Sequence, residues 1–523
     1  MSKPAAIDGE LYDVAIIGMG PVGRSLAMLL SLKGHKVLAL EKHKEPYPLP
    51  RAVHYDPDIA RLLDQLGLGN YILDFSSPTE VYEWQNADRK TMLRFTFPEG
   101  EGEQGWWSAL MFNQPGLEDR LRIRSEEMAN ITELRGAELI DFTQDSEAVE
   151  LTVFASDVTT TYRAKYMVGS DGASSFVREK LGSEIEDLGF FYRWLIVDII
   201  PPADMTWEPD NLQICDPRRP VSVVSGGPGR RRFEFMEMPS DNPDTFDTDE
   251  SAWALMAEWG LTPENTQLER RKMYQFQARW AKKWRDGRVF LAGDAAHQVP
   301  PFYGQGMVAG MRDSVNLAWK LDLVLAGTSD DSLLDTYETE RGAQVQFTIW
   351  MSVELGRVIC QTEPDIVAER DAHFFATGPN PENALPPLPP ERLGRGAFPT
   401  PDPAEVSDSA GILSVNGRVQ FPDGEIELFD RKSYGSFQLL VDGDRISEAE
   451  LAASLSFAPK GISISAVRLI SQGVPLQPDG HEVIDLENRY LPWLHSAGEV
   501  ARITRPDFYI YGSAHNAAEL NQL

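Results

Sequence analysis

Three glycines near the start of the chain, Gly18, Gly20 and Gly23, have the spacing Gly-x-Gly-x-x-Gly. Between a strand and a helix, the first glycine of this pattern permits a tight turn, the second lets a pyrophosphate approach the backbone, and the third lets the helix pack closely on the sheet. The N–H groups at the helix start then face the anion. Glu41, 18 residues after Gly23, can accept hydrogen bonds from a ribose hydroxyl. The pattern predicts a dinucleotide-binding site, with a chance glycine-rich turn as the alternative.

A second acidic position lies far downstream, where Asp294 follows Gly293 at the end of the apolar residues 289–292. Alone, a Gly-Asp pair indicates only an ordinary turn. Together with Glu41, Asp294 supplies a second carboxylate for the polyol of a longer cofactor. This combination favours FAD as the bound cofactor.

The segment 300–306, Pro-Pro-Phe-Tyr-Gly-Gln-Gly, leads directly into an apolar helical pattern. The N–H groups at a helix start and the positive end of the helix dipole stabilise nearby negative charge. A reduced flavin carries such charge at its N1–C2 carbonyl edge. The segment therefore indicates a flavin contact, and a helix that is merely opened by proline is the alternative.

Particular elements are needed to position these residues. Residues 12–17 and 36–40 are short apolar runs that predict strands, and the helical pattern between them ends at Gly34. A strand–turn–helix–strand unit of this kind opens a dinucleotide-binding fold. Residues 286–327 return to strand, turn and helix, whereas strand-like runs such as Val221–Ser225 are frequent in the preceding hundred or so residues.

The order of these patterns predicts a division into domains, with a mostly β, substrate-facing domain built from two insertions. Nine prolines between Pro379 and Pro403 predict either a stiff, extended linker or a packed strap. The predicted parts are an FAD-binding domain (11–78, 108–185 and 286–378), a substrate-binding β domain (79–107 and 186–285), a proline-rich linker (379–403) and a C-terminal α+β domain (404–523).

Composition excludes several classes of protein. The 523 residues include 80 acidic and 49 basic ones, and the formal net charge of −31 disfavours nucleic acid and anionic membranes as partners. The two cysteines, Cys215 and Cys360, cannot build a zinc site or a disulfide framework. The eight histidines lack metal-ligand spacing, and no apolar run has the roughly 18 residues of a spanning helix. We therefore expect a cytoplasmic protein without a bound metal.

Taken together, these segments resemble the single-component FAD-dependent aromatic hydroxylases, the class A flavoprotein monooxygenases. In that family a segment like 169–178, which contains Asp171, lies near FAD and the entering nicotinamide cofactor. Arg51 and Gln114 match positions that contact FAD. Within the family the chain most resembles the meta-hydroxyphenylpropionate hydroxylase branch. Three segments carry that likeness: Arg51-Ala52-Val53-His54-Tyr55-Asp56, Asp216-Pro217-Arg218-Arg219-Pro220 and Arg231-Arg232-Phe233-Glu234-Phe235-Met236.

The resemblance covers residues 12–345 and implies an α/β fold, α+β overall. The implied fold comprises a Rossmann-like FAD-binding domain, an inserted β-sheet substrate domain and a small C-terminal α+β domain. The last of these is similar in layout to the family's thioredoxin-like domain. NADH or NADPH would reduce FAD, and dioxygen would form a C4a-hydroperoxide that hydroxylates a small phenolic or aromatic substrate. The cofactor-binding residues that this reading implies are Gly18, Gly20, Gly23, Glu41, Arg51, Gln114, Asp171, Gly293, Asp294, Pro301, Gly304, Gly306 and Met307.

A hydrogen-bond acceptor near a phenol would raise the nucleophilicity of its ring. His54 is the predicted catalytic residue, because the resemblance implies that it lies where the Arg51 segment meets the flavin. A structural histidine bonded to backbone is the alternative. Tyr303 and the carbonyl of Pro301 are the other substrate-binding candidates, although Tyr303 could equally be a packed rim residue. Any substrate carboxylate would need a cation, and three arginines are available for it: Arg193, Arg218 and Arg219.

Two features depart from the family. Val308 stands where many relatives have Asn, and the C-terminal domain has no cysteine, which excludes thiol chemistry and leaves packing or a homodimer contact as its role. Two other functions stay open at this point. One is a flavoenzyme of the same fold that oxidises or epoxidises a non-phenolic metabolite, and the other is a flavin-binding protein without turnover.

Overall fold

The computed structural model describes residues 10–46, 49–385, 391–477 and 481–523. Its strands, in chain order, are β1 (Leu11–Ile17), β2 (Val37–Glu41), β3 (His54–Tyr55), β4 (Ser76–Pro78), β5 (Val81–Asn86), β6 (Thr91–Thr96), β7 (Leu110–Phe112), β8 (Ile131–Arg135), β9 (Ala137–Gln144), β10 (Val149–Ala155), β11 (Val158–Gly169), β12 (Ile185–Asp187), β13 (Arg193–Ile200), β14 (Asn211–Cys215), β15 (Val221–Ser225), β16 (Arg231–Met236), β17 (Gln267–Gln275), β18 (Arg279–Ala281), β19 (Arg285–Asp286), β20 (Val289–Leu291), β21 (His297–Gln298), β22 (Arg418–Gln420), β23 (Ile426–Leu428), β24 (Phe437–Asp442), β25 (Ile464–Ile470), β26 (Glu482–Asp485), β27 (Ala501–Thr504) and β28 (Ile510–Ala514).

The α-helices, in chain order, are α1 (Pro21–Leu32), α2 (Pro57–Gln65), α3 (Ile72–Phe75), α4 (Gln114–Glu126), α5 (Phe176–Leu181), α6 (Pro243–Phe246), α7 (Asp249–Met256), α8 (Gly306–Leu325), α9 (Thr336–Ile359), α10 (Pro364–Thr377), α11 (Pro381–Ala384), α12 (Pro403–Val406), α13 (Asp430–Ser433), α14 (Glu448–Leu455), α15 (Tyr490–Ser496) and α16 (Ala517–Leu520). Among the residues described, no helix is long and apolar enough to cross a membrane.

The first sheet has the strand order β19-β20-β11-β1-β2-β8, with β10 and β9 added beyond β11. Strands β20, β11, β1, β2 and β8 run parallel, so their carboxyl ends meet at one edge. Backbone hydrogen bonds join the residues that leave this edge: Gly18 N–H donates to the carbonyl of Leu40, and Ser170 N–H to that of Ile17. In open parallel sheets ligands bind at this edge.

The second sheet has the order β17-β13-β16-β15-β14-β5-β6, and the parallel pair β14–β5 joins its two chain segments. Side chains alternate between its faces. One face carries Phe233 and Phe235, which pack on Trp259. We call the other the inner face; it carries Arg232 and Glu234, and Arg232 reaches toward the first sheet.

The third sheet, β23-β22-β26-β25-β24-β27-β28, belongs to the C-terminal part of the chain. Two fully buried arginines join it to the rest of the protein. Arg61 of α2 donates to Asp430 at 2.7 Å, and Arg505 donates to Glu340 of α9 at 2.7 Å. These contacts bury charged pairs where the two parts meet, as expected for a packed structural domain.

Within the proline-rich stretch, residues 386–390 lie outside the described residues. The part that follows packs closely on the protein: Leu393 and Phe398 are buried and contact Tyr509, and the N–H of Gly394 donates to the carbonyl of Glu340. From residue 391 onward, the stretch therefore behaves as a packed strap and not as a free linker.

The α/β fold class with a Rossmann-like domain and an inserted substrate sheet is confirmed. Several predicted strands recur within one or two residues, and Val221–Ser225 recurs unchanged. The last strand begins only at Ile510, although the apolar run in the sequence starts at Phe508. Phe508 has φ of +70°, and its N–H donates to the carbonyl of Arg505, so the chain turns there before it becomes extended.

Candidate active site

The glycine-rich turn between β1 and α1 has the geometry that its spacing predicts. Gly18 has φ of +96°, and a Cβ there would lie 2.5 Å from the carbonyl oxygen of Ser170. A Cβ on Gly23 would lie 2.1 Å from the carbonyl oxygen of Gly18. The protein's own packing therefore requires both glycines.

Gly20 differs from these two glycines, because a Cβ at this position would have no protein atom within 4 Å. It caps α1, which begins with Pro21, and the first N–H groups of a helix have no partner within the helix. Protein packing does not explain a glycine here, whereas close approach of a phosphate does. The turn thus fits a dinucleotide pyrophosphate.

Glu41 ends β2 beside this turn. Its Oε2 accepts a hydrogen bond from the N–H of Met19 at 3.0 Å, and its Oε1 accepts one from the N–H of His43 at 2.9 Å. The carboxylate is fixed at the mouth of the turn and stays partly exposed. It can therefore accept a hydrogen bond from a ribose hydroxyl.

Asp294 lies in a short turn (Gly293–Ala295) directly after β20. The residue is exposed, yet burial raises the pKa of its carboxyl against the opposing charges of His297, Arg51 and Arg178. The charge of Arg51 acts on this carboxylate, so the structure brings two of the predicted cofactor residues to one cleft.

The Gly293 turn is held from beneath by Asp313 of α8. The Asp313 carboxylate accepts a hydrogen bond from the N–H of Gly293 at 2.9 Å, bonds to His297 at 2.7 Å and accepts another from Arg341 at 2.9 Å. Burial raises the pKa of the Asp313 carboxyl, but the charges of His297 and Arg341 have a larger effect in the opposite direction. The pKa of Asp313 is therefore lowered. His297 thus supports the turn.

Asp171 has a local structural task. Its Oδ1 accepts a hydrogen bond from Ser175 at 2.5 Å, and its Oδ2 accepts one from the N–H of Val177 at 3.1 Å. Ser175 in turn caps α5. Asp171 therefore fixes the loop that joins β11 to α5 at the carboxyl edge of the first sheet.

Gln114, buried at the start of α4, holds the segment that carries Arg51. Its Oε1 accepts hydrogen bonds from the N–H groups of Arg51 at 3.0 Å and Ala52 at 2.7 Å. Its Nε2 donates to Glu118 at 2.6 Å, which fixes the orientation of the amide. Gln114 therefore positions backbone next to the cleft.

The carbonyls of the same segment are held from the inner face of the second sheet. Arg232 donates to the carbonyl of Arg51 at 2.5 Å and to that of Pro50 at 3.1 Å. Arg270 also donates to the Pro50 carbonyl. Asp198 accepts two bonds from Arg232, at 2.7 and 3.1 Å. The segment is thus clamped between α4 and the second sheet.

His54 follows this segment in β3, which pairs with β7. Its ring lies against Gly304, where a Cβ would be 3.0 Å from Nδ1. Its Nε2 lies 3.8 Å from Oδ1 of Asp56, beyond hydrogen-bonding distance. Neither ring nitrogen hydrogen-bonds to a residue within the described ranges. The Asp56 carboxylate instead accepts bonds from Gln305 at 2.8 Å and Arg312 at 2.9 Å.

The turn Pro301–Tyr303 precedes α8, and Gly304 closes it with φ of +67°. The Pro301 carbonyl accepts the N–H of Gly304 at 2.8 Å. Burial, together with the charges of Glu391 and Asp56, raises the pKa of Tyr303 to about 12. Tyr303 therefore remains protonated and is a hydrogen-bond donor at neutral pH.

Phe302 of the same turn enters an aromatic cluster at the second sheet. Its ring centroid lies 5.7 Å from those of Trp194 and Phe276 and 6.0 Å from that of Phe190. Behind it, α8 begins with Gly306 and Met307, both partly exposed. Val308, in place of the usual Asn, is fully buried in the core and presents no polar group to the cleft.

The structure therefore brings the predicted cofactor residues to one edge of the first sheet, and places His54, Pro301 and Tyr303 between that edge and the second sheet. The three surface arginines each have a carboxylate partner: Arg193 pairs with Glu237 at 3.0 Å, Arg218 with Asp216 at 2.6 Å and Arg219 with Asp241 at 2.7 Å. None of them needs a substrate carboxylate to balance its charge.

Sequence reasoning missed the charges of the inner face, which are the buried Asp198, Arg232 and Arg270 and the half-buried Glu234. The signal for them was present, because a charged residue at every second position of a β-strand places those charges on one face. Arg232 and Glu234 show this spacing in the segment 231–236.

A parallel sheet with an open glycine turn, two carboxylates and a second helix start at one edge defines a dinucleotide-type flavin-binding fold. A family described as the FAD binding domain matches residues 11–350, and the chain belongs to this family. The predicted resemblance to the FAD-dependent aromatic hydroxylases is confirmed, and with it the prediction of a flavoprotein monooxygenase that takes FAD as its cofactor.

Two curated relatives span nearly the whole chain. A probable NADH-specific resorcinol 4-hydroxylase of Rhodococcus jostii (strain RHA1) is 34% identical over 532 residues, which cover 99% of this chain and 95% of that protein. A 3-(3-hydroxyphenyl)propionate/3-hydroxycinnamic acid hydroxylase of Mycolicibacterium smegmatis is 29% identical over 535 residues, covering 100% and 93%.

Solved structures share the fold. The flavin-dependent monooxygenase PieE, in complex with FAD and substrate, has a TM-score of 0.79 at 20% identity and covers 99% of this chain and 98% of its own. Aklavinone-11 hydroxylase with FAD and aklavinone has a TM-score of 0.77 at 23% identity, with 98% of both chains covered.

Proposed function

We propose that this chain hydroxylates a small, uncharged, hydroxyl-bearing benzene ring such as resorcinol, and that NADH is its reductant. The relative named as a resorcinol hydroxylase and as NADH-specific supports both choices, since the alignment covers nearly all of both proteins. The paired arginines at positions 193, 218 and 219 support an uncharged substrate, because each already has a carboxylate partner.

The observation that carries the proposal is the state of His54. A histidine with a purely structural role normally bonds to backbone or to a carboxylate, and His54 makes no such bond to any residue that the structure describes. Its Nδ1 is enclosed against Gly304, whereas its Nε2 lies 3.8 Å from the nearest Asp56 oxygen. The imidazole is thus held by packing, and Nε2 can accept a hydrogen bond from a phenol.

The protein's residues would act on the substrate by positioning and by polarising it. A phenol has a pKa near 10, so only roughly one molecule in a thousand is ionised at pH 7. Acceptance of its hydrogen bond by His54 or by the Pro301 carbonyl would raise the electron density of the ring. Tyr303, protonated because its pKa is about 12, would donate to a second oxygen.

FAD, when bound, supplies the redox chemistry with the nicotinamide and dioxygen. The chain would contribute fixed charge and exclusion of water. The N–H groups of Gly306 and Met307 at the start of α8 would stabilise negative charge on the ring system that they face. The clamp of Arg51 by Gln114 and Arg232 would keep the opposite wall of the cleft in place.

We further propose a cytoplasmic location and a homodimer, with no nucleic-acid partner. Cys215 and Cys360 are both buried free thiols, in keeping with a reducing compartment. On α9, Trp350 is 49% exposed and its ring lies 6.0 Å from that of the half-buried Phe347. A contiguous apolar patch on the surface is suited to a subunit contact. Sedimentation equilibrium of the purified protein tests the dimer.

A phenol panel tests the function. NADH and NADPH oxidation would be measured with resorcinol, with 3-(3-hydroxyphenyl)propionate and without substrate, and products identified by mass. We expect resorcinol to stimulate NADH oxidation and to yield a trihydroxybenzene. Oxidation or epoxidation of a non-phenolic compound alone would favour the alternative enzyme, and NADH oxidation that no compound stimulates would favour a flavin-binding protein without turnover.

A further inference from the structure

Arg312 of α8 is a buried arginine that uses every N–H group of its guanidinium. Nε and Nη2 donate to the two oxygens of Asp58, at 2.7 and 3.1 Å, and Nη2 also donates to Asp56 at 2.9 Å. Nη1 donates to Gln305 at 3.2 Å and to Glu391 at 3.0 Å. The guanidinium therefore joins three parts of the chain: the start of α2, the residue that precedes α8, and the strap.

Two members of this network fix the neighbours of the His54 ring. Gln305 donates from Nε2 to Oδ2 of Asp56 at 2.8 Å, and the same oxygen accepts the bond from Arg312. The other oxygen of Asp56, Oδ1, is the one that lies 3.8 Å from Nε2 of His54. The second ring nitrogen, Nδ1, lies against Gly304, which directly precedes Gln305. Both nitrogens of the imidazole thus face groups that the network holds.

Glu391 is not needed to balance the charge of Arg312. The carboxylates of Asp56 and Asp58 already face this guanidinium, so Glu391 adds a third anion to one cation. Burial raises the pKa of the Glu391 carboxyl; Arg312 opposes this rise, and the two aspartates add to it. What Glu391 supplies is therefore an acceptor oxygen for the last N–H of the guanidinium, and not a missing charge.

The strap holds Glu391 in place from the other side. Leu393, two residues further on, is buried, and its N–H donates to the carbonyl of Gly411. Gly394 packs so closely on α9 that a Cβ there would lie 2.3 Å from the carbonyl oxygen of Thr339. The backbone next to Glu391 is thus anchored to the protein, and the strap is a rigid support for the network around the guanidinium.

We propose that Glu391 is a positioning residue of the active site. By holding Arg312, it keeps both neighbours of the His54 imidazole in place and so fixes this ring toward the substrate. The inference rests on the proposed hydroxylase function, in which His54 accepts the hydrogen bond of a phenol. It gives the strap, which lies beyond the residues 11–350 that match the FAD-binding family, a part in the reaction.

A double-mutant cycle between Glu391 and His54 tests the inference. Hydroxylation of resorcinol by the FAD-loaded enzyme would be measured, as kcat and as product per NADH, in wild type, Glu391→Leu, His54→Ala and the double variant. Misplacement of a reacting group by about 1 Å can cost about 10²-fold in rate, so we expect kcat of Glu391→Leu to fall by roughly tenfold or more. In the His54→Ala background the same substitution should lower kcat by about twofold at most, because no imidazole is left to position.

Three further variants complete the design. Glu391→Gln keeps an acceptor oxygen and should restore most of the rate that the leucine variant loses. Glu405→Leu is the matched control, since Glu405 is an exposed carboxylate of α12 that follows the strap, and it should retain the wild-type kcat and coupling. If Glu391→Leu fails to fold, Gln305→Leu breaks the link between Arg312 and Asp56 from the other side, and the same dependence on His54 is expected.

The outcomes separate this inference from the proposed function. An equal loss of kcat with and without the imidazole would show that Glu391 supports only the fold, and would overturn the inference. A wild-type kcat in Glu391→Leu, or a glutamine variant as slow as the leucine variant, would overturn it as well. Each of these results leaves the hydroxylase function intact, provided that wild type hydroxylates resorcinol. Wild-type enzyme that hydroxylates neither resorcinol nor any other phenol overturns the proposed function and this inference with it.

Discussion

Gly20→Val separates cofactor binding from protein stability at a single position. The backbone at Gly20 has φ of −70° and ψ of −176°, an extended conformation that valine adopts readily. A Cβ there has no protein atom within 4 Å. Any large effect of the substitution must therefore come from a ligand that occupies this space.

The expected magnitudes follow from these contacts. Glycine precedes α1 as its cap, and an apolar residue at a cap costs about 1 kcal/mol. Two N–H groups that donate to a pyrophosphate contribute about 1.5–3 kcal/mol each. If valine prevents both bonds, FAD binding weakens by about 3–6 kcal/mol, or roughly 10²- to 10⁴-fold. The protein itself should lose little.

Flavin titration calorimetry and thermal unfolding, each with and without added FAD, measure the two effects. Gly23→Ala should instead destabilise the protein, because its Cβ would lie 2.1 Å from the carbonyl oxygen of Gly18 and must push α1 away from the sheet. We expect a loss of about 1–3 kcal/mol in the free energy of unfolding. Gly342→Ala is the control, an unhindered glycine inside α9, and should keep full FAD content. Gly20→Val that purifies with full FAD and wild-type affinity would refute the assignment of the turn.

Three further predictions concern the catalytic wall, the C-terminal domain and pH. His54→Ala should keep its FAD and hydroxylate at least about 10²-fold more slowly, with less product and more hydrogen peroxide per NADH; an unchanged rate and ratio would return His54 to a structural role. Arg61→Met leaves the buried Asp430 without its cation and should lower the free energy of unfolding in urea by about 3–5 kcal/mol. The double variant with Asp430→Leu should recover part of this loss. Fully additive losses would contradict the pairing. Burial disfavours the ionised Glu340, but Arg505 and Lys320 outweigh it and lower its pKa from 4.5 to about 2. A depressed folded-state pKa stabilises the protein above pH 4.5, and about 3 kcal/mol of the free energy of unfolding is lost as the pH falls from 4.5 toward 2. Glu340→Gln should lack this pH-dependent loss. Parallel curves of unfolding free energy against pH for the two proteins would contradict the prediction.

The sequence predicts the first strand–turn–helix unit well because packing and function there depend on residues close in the chain. The spacing alone is not sufficient, since Gly100, Gly102 and Gly105 repeat it in the loop between β6 and β7. Context decides between the two: only the first turn lies between a buried parallel strand and a helix. Local patterns therefore give both the element and its task in this part of the chain.

The other side of the site depends on contacts that no local pattern shows. Arg232 meets the Arg51 carbonyl across 181 positions of the chain, and Arg505 meets Glu340 across 165. Which of many arginines are buried, and against which carbonyl, is fixed by how the sheets pack on one another. Phe508 shows the same limit locally, because its positive φ turns the chain where its β propensity favours a strand.

Labelled dioxygen tests the central claim most directly. The FAD-loaded enzyme would turn over resorcinol and NADH under ¹⁸O₂, and the oxygen isotope in the product would be read by mass spectrometry. The account predicts one labelled oxygen atom in a new ring hydroxyl, formed only with substrate present and in proportion to the NADH consumed. Label found solely in water or hydrogen peroxide, for resorcinol and for every other phenol tried, would contradict it.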